Sequence, residues 1–412
     1  NLRRLGALSA RGRYGFFEAL DYTPVRQTHG ERFTVVHTFM AHHQGMSLVA
    51  LANVLRAGVA QRWGMAHPRM EAVASLLHER APRELPACCA QAPVLPPQPL
   101  SRPAPRLLRE QVPGQAAIES TQLLSNGRYH VTLRANGAGW SRWGQTGITR
   151  WRDDALRDAC GSFVYLRLDP AAAPVSASSH PAPDPAALYQ STFHTDRVVL
   201  EALWPELTVQ TTVWVSPEDD IELKRVVLTN RSTEVIELEL ISAMEVTLAR
   251  AAADEAHPAF SNFFVQADWL ADQQALRFVR TPRLQTETTV QAAHFVADVR
   301  GEVLGLLCQT DRAHWLGRNH SADQPLARMN AVPTTSTALG TGLDPVAALG
   351  VKLRLAPGAQ ACVTFATAAS EVAATLMAVV DKYRQPSYVE RASVMSATVA
   401  GIQALSPRPR AD

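Results

Sequence analysis

The sequence contains no apolar run of the ~18 to 20 residues that a transmembrane helix needs. Its opening segment, NLRRLGALSARGR, has neither an initiator methionine nor the apolar core of a signal peptide. A surplus of charge is absent too, because 40 basic residues and 38 acidic residues leave a net charge of +2. Such a balance creates no field that would gather nucleic acid or anionic lipid. We therefore expect a cytoplasmic chain that binds no nucleic acid and begins inside a domain.

Cysteine is scarce and follows no pattern. The five cysteines are odd in number, are scattered, and show no CxxC spacing. This argues against a disulfide scaffold and against a cysteine-based zinc site. Reduced thiols in a cytoplasmic protein are the expectation.

The chain does have length and apolar content, with 412 residues of which 46% are hydrophobic. That is room for two or three domains with sizeable cores. Residues 1–85 are predicted to be helical apart from the segment around 14–29, with one helix starting at Thr38 and another over 69–80. Repeated prolines over 86–114 disfavour both helices and central strands, so this stretch is predicted to be a linker.

From residue 115 the pattern changes to short alternating runs, with Asn126-Gly127 and Asn136-Gly137 as hairpin turns. Strands are predicted over 129–134, 163–168, 197–204, 208–215, 221–230, 234–246, 276–280, 303–309, 347–355 and 361–367. Strands without intervening helices predict two packed antiparallel sheets over 115–370. Residues 170–187 are predicted to be a flexible surface loop, and the final segment, 371–412, contains helices over 371–384 and 389–405.

Residues 139–169 combine three tryptophans, five arginines and four aspartates. Indole faces stack on the apolar faces of sugar rings, and guanidinium and carboxylate groups bind the hydroxyls. The predicted substrate-binding residues here are Trp140, Arg142, Trp143, Arg150, Trp151, Arg152, Asp153, Asp154, Arg157 and Asp158. Trp143, flanked by arginine and glycine, is favoured for stacking on a sugar. The alternative is that the tryptophans fill the space between two sheets.

Asp153 and Asp154 are also weak candidates for catalysis, because glycoside cleavage needs a positioned carboxylic acid. The surrounding arginines favour a different role, since they would hold the carboxylates ionised. A general acid needs the opposite environment. A structural or substrate-orienting network is therefore the preferred interpretation.

Two further segments contain charged residues of the kinds that bind ligands. The acids of SPEDDIE, residues 216–222, lack calcium-loop spacing and are predicted to face water in a turn. Arg312, Arg318 and His320 in DRAHWLGRNH are weak candidates for binding an anion.

Residues 127–169 also resemble a known protein family. TRWRDDALRDACGSFVYLRLD, after GRYHVTLRANGAGWSRW, resembles the N-terminal sandwich domain of cellobiose-phosphorylase-like glycoside hydrolases (the glycosyltransferase 36 family), and in particular the copy inside cyclic β-1,2-glucan synthases. The likeness continues in WVSPEDDIELKRVVLTNRS, AHPAFSNFFVQ, DRAHWLGRN and LDPVAALGVKLRLAPG. RYGFFEALDYTP and VVHTFMAHHQGMSLVALANVL resemble the end of a glucoamylase-like domain. The resemblance implies a mainly β chain, with a galactose-mutarotase-like antiparallel super-sandwich after the last helices of an α/α toroid at 1–85.

In the glucoamylase-like segment, the resemblance implies that Glu18, Asp21 and Tyr22 line a sugar cleft. Glu18 lies between aromatic and apolar residues in GFFEALD, which is the setting that a glycosidase acid requires, so it is a third weak catalytic candidate.

His42, His43 and Gln44 follow in HTFMAHHQG. No HExxH pattern accompanies these histidines, so no metal site is predicted. They are expected to bind sugar hydroxyls or the GFFEALDYT segment. Gly45, after Gln44, permits close approach of a ligand or another helix.

The function predicted is that of a carbohydrate-binding fragment of a cyclic β-1,2-glucan synthase, without catalysis or a cofactor of its own. The resemblance implies a parent in the bacterial inner membrane, with this part on the cytoplasmic side. That parent would build glucan from UDP-glucose, close the ring and trim chains with phosphate. The implied partners are a β-glucan oligosaccharide, neighbouring domains and, through the sandwich, a second copy.

Two alternatives remain open at this point. One is a working glycoside phosphorylase or hydrolase with its acid among Glu18, Asp153, Asp154 and Asp158. The other is a structural or dimerisation spacer with a large apolar docking patch.

Overall fold

The computed structural model describes residues 2–23, 27, 32–66, 70, 108–115, 119–151, 159–281 and 289–405. The chain divides into two compact units, residues 1–101 and residues 102–412, which are described separately. The elements of the first unit are α1 (Leu2–Ala7), β1 (Arg11–Gly12), β2 (Gly15–Phe16), β3 (Ala19–Asp21), β4 (Thr34–Val36), α2 (Ala41–Leu55) and α3 (Val59–Met65).

The first unit contains more strand than the sequence predicts. β1 pairs antiparallel with β2, and β3 pairs with β4. β1 and β4 lie outside the predicted break in the helices around 14–29, so that prediction was wrong at both ends. Strands of two or three residues show no periodicity of their own, because their pairing is made by contacts distant in sequence.

The strands of the first half of the second unit are β5 (Leu108–Gln111), β6 (Thr121–Ser125), β7 (Tyr129–Arg134), β8 (Gly139–Trp143), β9 (Thr146–Thr149), β10 (Ser162–Arg167), β11 (Val175–Ser176), β12 (Leu188–His194), β13 (Arg197–Leu203), β14 (Leu207–Val215), β15 (Ile221–Asn230) and β16 (Ile236–Ala249). Two short helices follow, α4 (Ala251–Ala256) and α5 (Pro258–Asn262).

The remaining elements are β17 (Val265–Leu270), β18 (Ala275–Arg280), β19 (Val290–Arg300), β20 (Glu302–Asp311), α6 (Arg312–Leu316), β21 (Asn330–Ala331), β22 (Thr337–Leu339), β23 (Pro345–Leu355), β24 (Gln360–Ser370), α7 (Ala373–Tyr383) and α8 (Pro386–Leu405). None of the helices in the described part of the chain is long and apolar enough to span a membrane.

The strands of the second unit form two large sheets. The first sheet has the order β21-β20-β23-β16-β9-β8-β7-β6, with β10 paired to β16 and to β11. The second has the order β22-β17-β18-β19-β24-β15-β14-β13-β12-β5. Their strand pairs are antiparallel throughout the described residues. The predicted pair of antiparallel sheets is therefore confirmed.

The main core lies between the two sheets. On β7 the side chains of Tyr129, Val131 and Leu133 point inwards while the intervening residues are half-buried, which is the two-residue period of a strand with one buried face. Helices α7 and α8 cover the outer face of the second sheet through a further cluster that includes Leu376 and Val380. The second sheet is thus apolar on both faces over much of its area.

All ten predicted strands are present, with ends that differ by no more than a few residues. The turns at Asn126-Gly127 and Asn136-Gly137 connect β6 to β7 and β7 to β8, as predicted. The sequence missed β19, in which nine consecutive residues are buried, because a strand covered on both faces does not alternate.

Two segments that the sequence predicts to be irregular contain a strand in their described residues. Of the predicted linker, 86–114, the part that the structure describes includes β5, which pairs with β12 as an edge strand. Residues 170–187 are not a surface loop over their whole length, because Ser176, Ala177 and Ala182 are buried and Ser176 pairs with Tyr165. Short side chains allow this connection to pack closely, and the Ser176 hydroxyl is satisfied by the Ser178 carbonyl at 2.6 Å.

The acids of SPEDDIE do not face water, which corrects the sequence prediction. Asp219 accepts hydrogen bonds from Lys382 Nζ at 2.6 Å and from Tyr383 OH at 2.9 Å, and so anchors α7. Glu222 is buried between the sheets, where it accepts a bond from Ser141 Oγ at 2.6 Å. These partners lie about 80 to 165 residues away in the sequence, so local spacing could not reveal them.

Candidate functional site

The β8–β9 hairpin and the residues that follow it reach two clefts. Arg150, directly after β9, lines a cleft of ≈ 500 Å³, which we call the Trp315 cleft after the tryptophan in its wall. Trp143, the last residue of β8, lines another cleft of ≈ 770 Å³, which we call the Trp143 cleft. The stretch 139–169, which is rich in tryptophan, arginine and aspartate, therefore contributes to both clefts.

The Trp315 cleft has an aromatic wall and a polar rim. Phe163 and Tyr165 stand on the same face of β10, and Trp315 of α6 packs edge-on against Tyr165 with ring centroids 5.5 Å apart. Its polar lining includes Glu245, Arg312, His180 and Asp323. Apolar faces beside a few placed polar groups are typical of a small-ligand site.

A buried ion network holds one edge of this cleft. Arg150 donates from Nε to Asp254 Oδ2 at 3.2 Å and from Nη2 to Asn262 Oδ1 at 2.8 Å, and it also pairs with Glu245. Arg312 Nε binds the other oxygen of Glu245 at 2.5 Å. Glu245 is therefore fixed by two guanidinium groups at once.

Asp344 completes the network. Its Oδ1 accepts a bond from Asn262 Nδ2 at 2.7 Å, and its Oδ2 lies 3.4 Å from Arg312 Nη1. Burial raises the pKa of Asp344, while the nearby Arg150 and Arg312 oppose that shift. For Arg150 burial acts to lower the pKa, but the carboxylates around it, led by Glu245, outweigh burial and raise it. The guanidinium therefore stays charged.

Arg150 was among the residues predicted from sequence, but its partners were not. Glu245, Asp254, Asn262 and Asp344 come from β16, α4, α5 and the loop before β23. Asn262 lies in AHPAFSNFFVQ and Asp344 in LDPVAALG, two of the segments on which the resemblance rested. The signal was present, but only the fold shows that these segments meet around one arginine.

Trp140 and Trp151 form a column with two arginines. The two indoles stack with centroids 5.9 Å apart and an angle of 23° between their planes. Arg142 lies 5.4 Å from the centre of Trp140, and Arg134 lies 5.5 Å from the centre of Trp151. Cation–π contacts at these distances are stabilising. A sugar that stacked on these rings would have to displace a guanidinium group.

Trp143 is separate from that column. Its Nε1 donates to Asp220 Oδ2 at 2.8 Å, and the ring packs against the main core as well as lining the Trp143 cleft. Trp143 therefore partly fills the sandwich, as the alternative interpretation predicts, and it also lines a cleft, so stacking on a sugar stays a prediction.

Among the candidates in the first unit, Glu18 and the residues of α2 are in contact. Glu18 pairs with His43 Nδ1 at 2.6 Å, and Gln44 Nε2 donates to the Phe16 carbonyl at 2.8 Å. The expected bond between the histidines and the GFFEALDYT segment therefore forms, and the ring of His42 lies 3.9 Å from that of His43.

Asp21 is the last residue of β3, and Tyr22 follows it. Asp21 caps the turn by accepting a bond from the Thr23 backbone N at 2.8 Å, and Tyr22 is exposed beside Phe33.

Several predictions lie elsewhere or cannot be placed. Arg152, Asp153, Asp154, Arg157 and Asp158 lie outside the described residues. The weak anion site was wrong as a cluster, because Arg312 faces the carboxylates of Glu245 and Asp344 while Arg318 and His320 are exposed.

Comparison with known proteins gives a family match over most of the chain. Residues 108–386 match the family described as glycosyl hydrolase 94, supersandwich domain. A cyclic β-(1,2)-glucan synthase, NdvB of Rhizobium meliloti (strain 1021), is 33% identical over 393 residues. That alignment covers 94% of this chain but 14% of the relative, so the chain spans about a seventh of the length of that protein.

The solved structures that align with this chain are much more distant in sequence. A bacterial glucoamylase complexed with acarbose aligns with 70% of this chain and 40% of its own, at 7% identity and a TM-score of 0.40. A putative aldose 1-epimerase from Escherichia coli K12 aligns with 61% of this chain and 99% of its own, at 10% identity and a TM-score of 0.34.

Proposed function

This chain belongs to the glycosyl hydrolase 94 supersandwich family, and on that premise we propose that its Trp315 cleft binds a β-1,2-linked glucan chain as part of a cyclic β-1,2-glucan synthase. The linkage is proposed from the similarity to the synthase of Rhizobium meliloti. The observation that carries the location is the aromatic wall of Phe163, Tyr165 and Trp315, set beside polar groups that the Arg150 network holds in place.

The geometry of the cleft suits a neutral sugar. Aromatic edges and faces pack against the C–H surface of glucose, and the carboxylate of Asp323 accepts hydroxyl hydrogens. Because Glu245 and Arg312 are already paired, they offer remaining lone pairs and N–H groups in fixed directions. Preorganised polar groups bind hydroxyls at a lower entropic cost than mobile ones do.

The carboxylates of this cleft favour binding over catalysis. Glu245 accepts hydrogen bonds from two arginines, so each of its oxygens already faces a guanidinium group, whereas a glycosidase acid must donate a proton to the leaving-group oxygen. We therefore propose that the chain itself does not cleave glucan.

The remaining steps are proposed for the longer synthase. UDP-glucose and phosphate would be substrates of other domains, and the sandwich would hold the glucan beside them on the cytoplasmic side of the membrane. Neighbouring domains and a second copy of the chain are the proposed protein partners.

Calorimetric titration with linear β-1,2-gluco-oligosaccharides tests the proposal, with a β-1,4-linked series as the linkage control. We expect saturable heat for the β-1,2 series alone. Asp323→Ala should weaken binding several-fold, because it removes an acceptor at the rim. Asp272→Ala is the matched control, since Asp272 is an equally exposed aspartate between β17 and β18. No heat from folded protein, or equal losses in both variants, would refute the proposed site.

Alkylation of Cys160 gives a second measurement, because this thiol lines the Trp315 cleft. Burial raises the pKa of Cys308 to about 11 and also raises the pKa of Cys362, so both react slowly near neutral pH. In a chain with Cys88 and Cys89 replaced by serine, bound glucan should protect Cys160 from a maleimide.

Incubation of the unmodified chain with glucan and phosphate should release no glucose 1-phosphate.

A further inference from the structure

The Trp143 cleft differs from the Trp315 cleft in its charge. Its lining includes three arginines, Arg128, Arg250 and Arg280, and one carboxylate, Glu371. The arginines come from the β6–β7 turn, the residue before α4 and the end of β18, so the fold brings them together from distant parts of the sequence. A cleft lined by a surplus of one charge concentrates ions of the opposite sign.

The three guanidinium groups are held to different degrees. Arg128 Nε binds Asp220 Oδ1 at 3.1 Å, but the side chain is 68% exposed, so other N–H groups face solvent. Arg280 donates from Nη1 to the Ser261 carbonyl at 2.7 Å, which orients it. Arg250 is exposed and makes no ion pair among the described residues. The cleft therefore combines oriented donors with one cation whose charge is not neutralised locally.

An aromatic ring in fixed orientation stands beside these arginines. Besides accepting from Trp143 Nε1, Asp220 accepts from Asn126 Nδ2 at 3.2 Å, and its side chain is largely buried. The carboxylate therefore ties the β6–β7 turn to the end of β8 and locks the indole. A locked indole presents stacking area without the loss of side-chain freedom that a mobile ring incurs on binding.

We propose that the Trp143 cleft is a second binding site, for a hexose that carries an oxyanion as a phosphate ester or a carboxylate. The indole of Trp143 stacks on the sugar ring, and Arg250, with Arg128 and Arg280, binds the oxyanion through charge-assisted hydrogen bonds. A neutral glucan would leave Arg250, which makes no ion pair among the described residues, without an anion. The proposal does not depend on glucan binding in the Trp315 cleft.

Calorimetry on the full chain at low ionic strength tests the proposal with glucose 6-phosphate, glucuronate, inorganic phosphate and glucose. We expect saturable binding of glucose 6-phosphate or glucuronate, binding of inorganic phosphate weaker by about tenfold, and none of glucose. Raising the salt concentration should weaken binding, because exposed guanidinium groups are screened. If neither anionic sugar binds, or if glucose binds as tightly, the proposal is overturned. Equal binding of inorganic phosphate overturns the stacking role of Trp143.

Two variants locate the site. Arg250→Gln should weaken binding of the anionic sugar by about tenfold, whereas Arg318→Gln, the same change at an exposed arginine of another loop, should leave it unchanged. Trp143→Phe keeps a ring but loses the bond to Asp220, and it should weaken the sugar ester more than inorganic phosphate. Equal effects of the two arginine variants would overturn the assignment. Titration of Arg250→Gln with β-1,2-glucan separates the two clefts, because that affinity should not change.

Discussion

His294 lies on β19 with 1% of its surface exposed, and its Nδ1 is 3.0 Å from Thr367 Oγ1. Burial, and then the charge of Lys224, lower the pKa of His294 to about 3. Lys224 is itself buried, with its Nζ 2.7 Å from Ser162 Oγ. The interior of the sandwich therefore contains a histidine that remains neutral where an unfolded chain would take up a proton.

The consequence is a defined loss of stability in acid. Above pH 6.5 both states are neutral at this residue and its contribution is complete; between pH 6.5 and pH 3 only the unfolded chain binds the proton, so stability falls as pH falls. Between pH 7 and pH 5 the loss is about 2 kcal/mol. His294→Gln removes this titratable group. Between pH 7 and pH 5 the free energy of unfolding of the variant, measured with urea, should therefore fall by about 2 kcal/mol less than that of the unmodified chain. Parallel pH profiles for the two proteins would contradict the assignment.

Arg150 gives a second prediction for a single residue. Arg150→Met leaves the buried carboxylate of Asp254 and the half-buried carboxylate of Glu245 without their shared cation, and breaking a buried ion pair typically costs about 3–5 kcal/mol. Arg150→Lys should also destabilise, because an ammonium group lacks the planar fork that serves several acceptors at once. Urea unfolding measures both, with the exposed Arg318→Met as control. A loss below about 1 kcal/mol for Arg150→Met would mean that the network contributes little.

At the scale of elements, the shape of β16 explains how the Trp315 cleft arises. Residues 239–244 of this strand pair with β10, and the register then shifts between Val246 and Ala249, where the strand pairs with β9 instead. A bulge of this kind bends a strand and redirects its side chains. Glu245 stands at the change of partner, which places its carboxylate between Arg150 and Arg312.

Helix α7 is stabilised by packing on the second sheet. Leu376, Val380 and Tyr383 are buried in a cluster with Trp214 and other side chains of the sheet. Leu376→Ala should therefore lower the unfolding free energy by about 2–5 kcal/mol, as large-to-small changes in cores do. Val394→Ala on α8 is the control, because Val394 is 66% exposed and should change stability by less than about 0.5 kcal/mol. Similar losses for both would show that α7 does not dock as described.

At the scale of the whole molecule, the sandwich and its helices lie within one compact unit. A chain of residues 102–412 should therefore fold without the first unit, with a strand-rich circular dichroism spectrum and one cooperative unfolding transition. It should also bind β-1,2-gluco-oligosaccharides as tightly as the full chain. An unfolded product would show that the second unit depends on residues 1–101.

The architecture of the second unit could be predicted in outline from its sequence. The alternation on strands such as β7 depends on residues two to four positions apart, and so do turns such as Asn126-Gly127. Both patterns can therefore be recognised in the sequence. The two helices predicted over 371–384 and 389–405 are likewise present, as α7 and α8. Composition also singled out residues 139–169, which contribute to both clefts.

The grouping of the polar residues could not be predicted, because it depends on how the chain folds. Arg150 meets Asp254 and Asn262 across about a hundred residues of chain, and Trp143 meets Asp220 across 77. Acids that local spacing predicted to face water became buried partners, because charged groups taken out of solvent must find hydrogen-bonding partners wherever the fold supplies them. Periodicity depends on near neighbours and can be read from sequence, whereas the pairing of buried charge depends on distant neighbours that only the folded chain brings together.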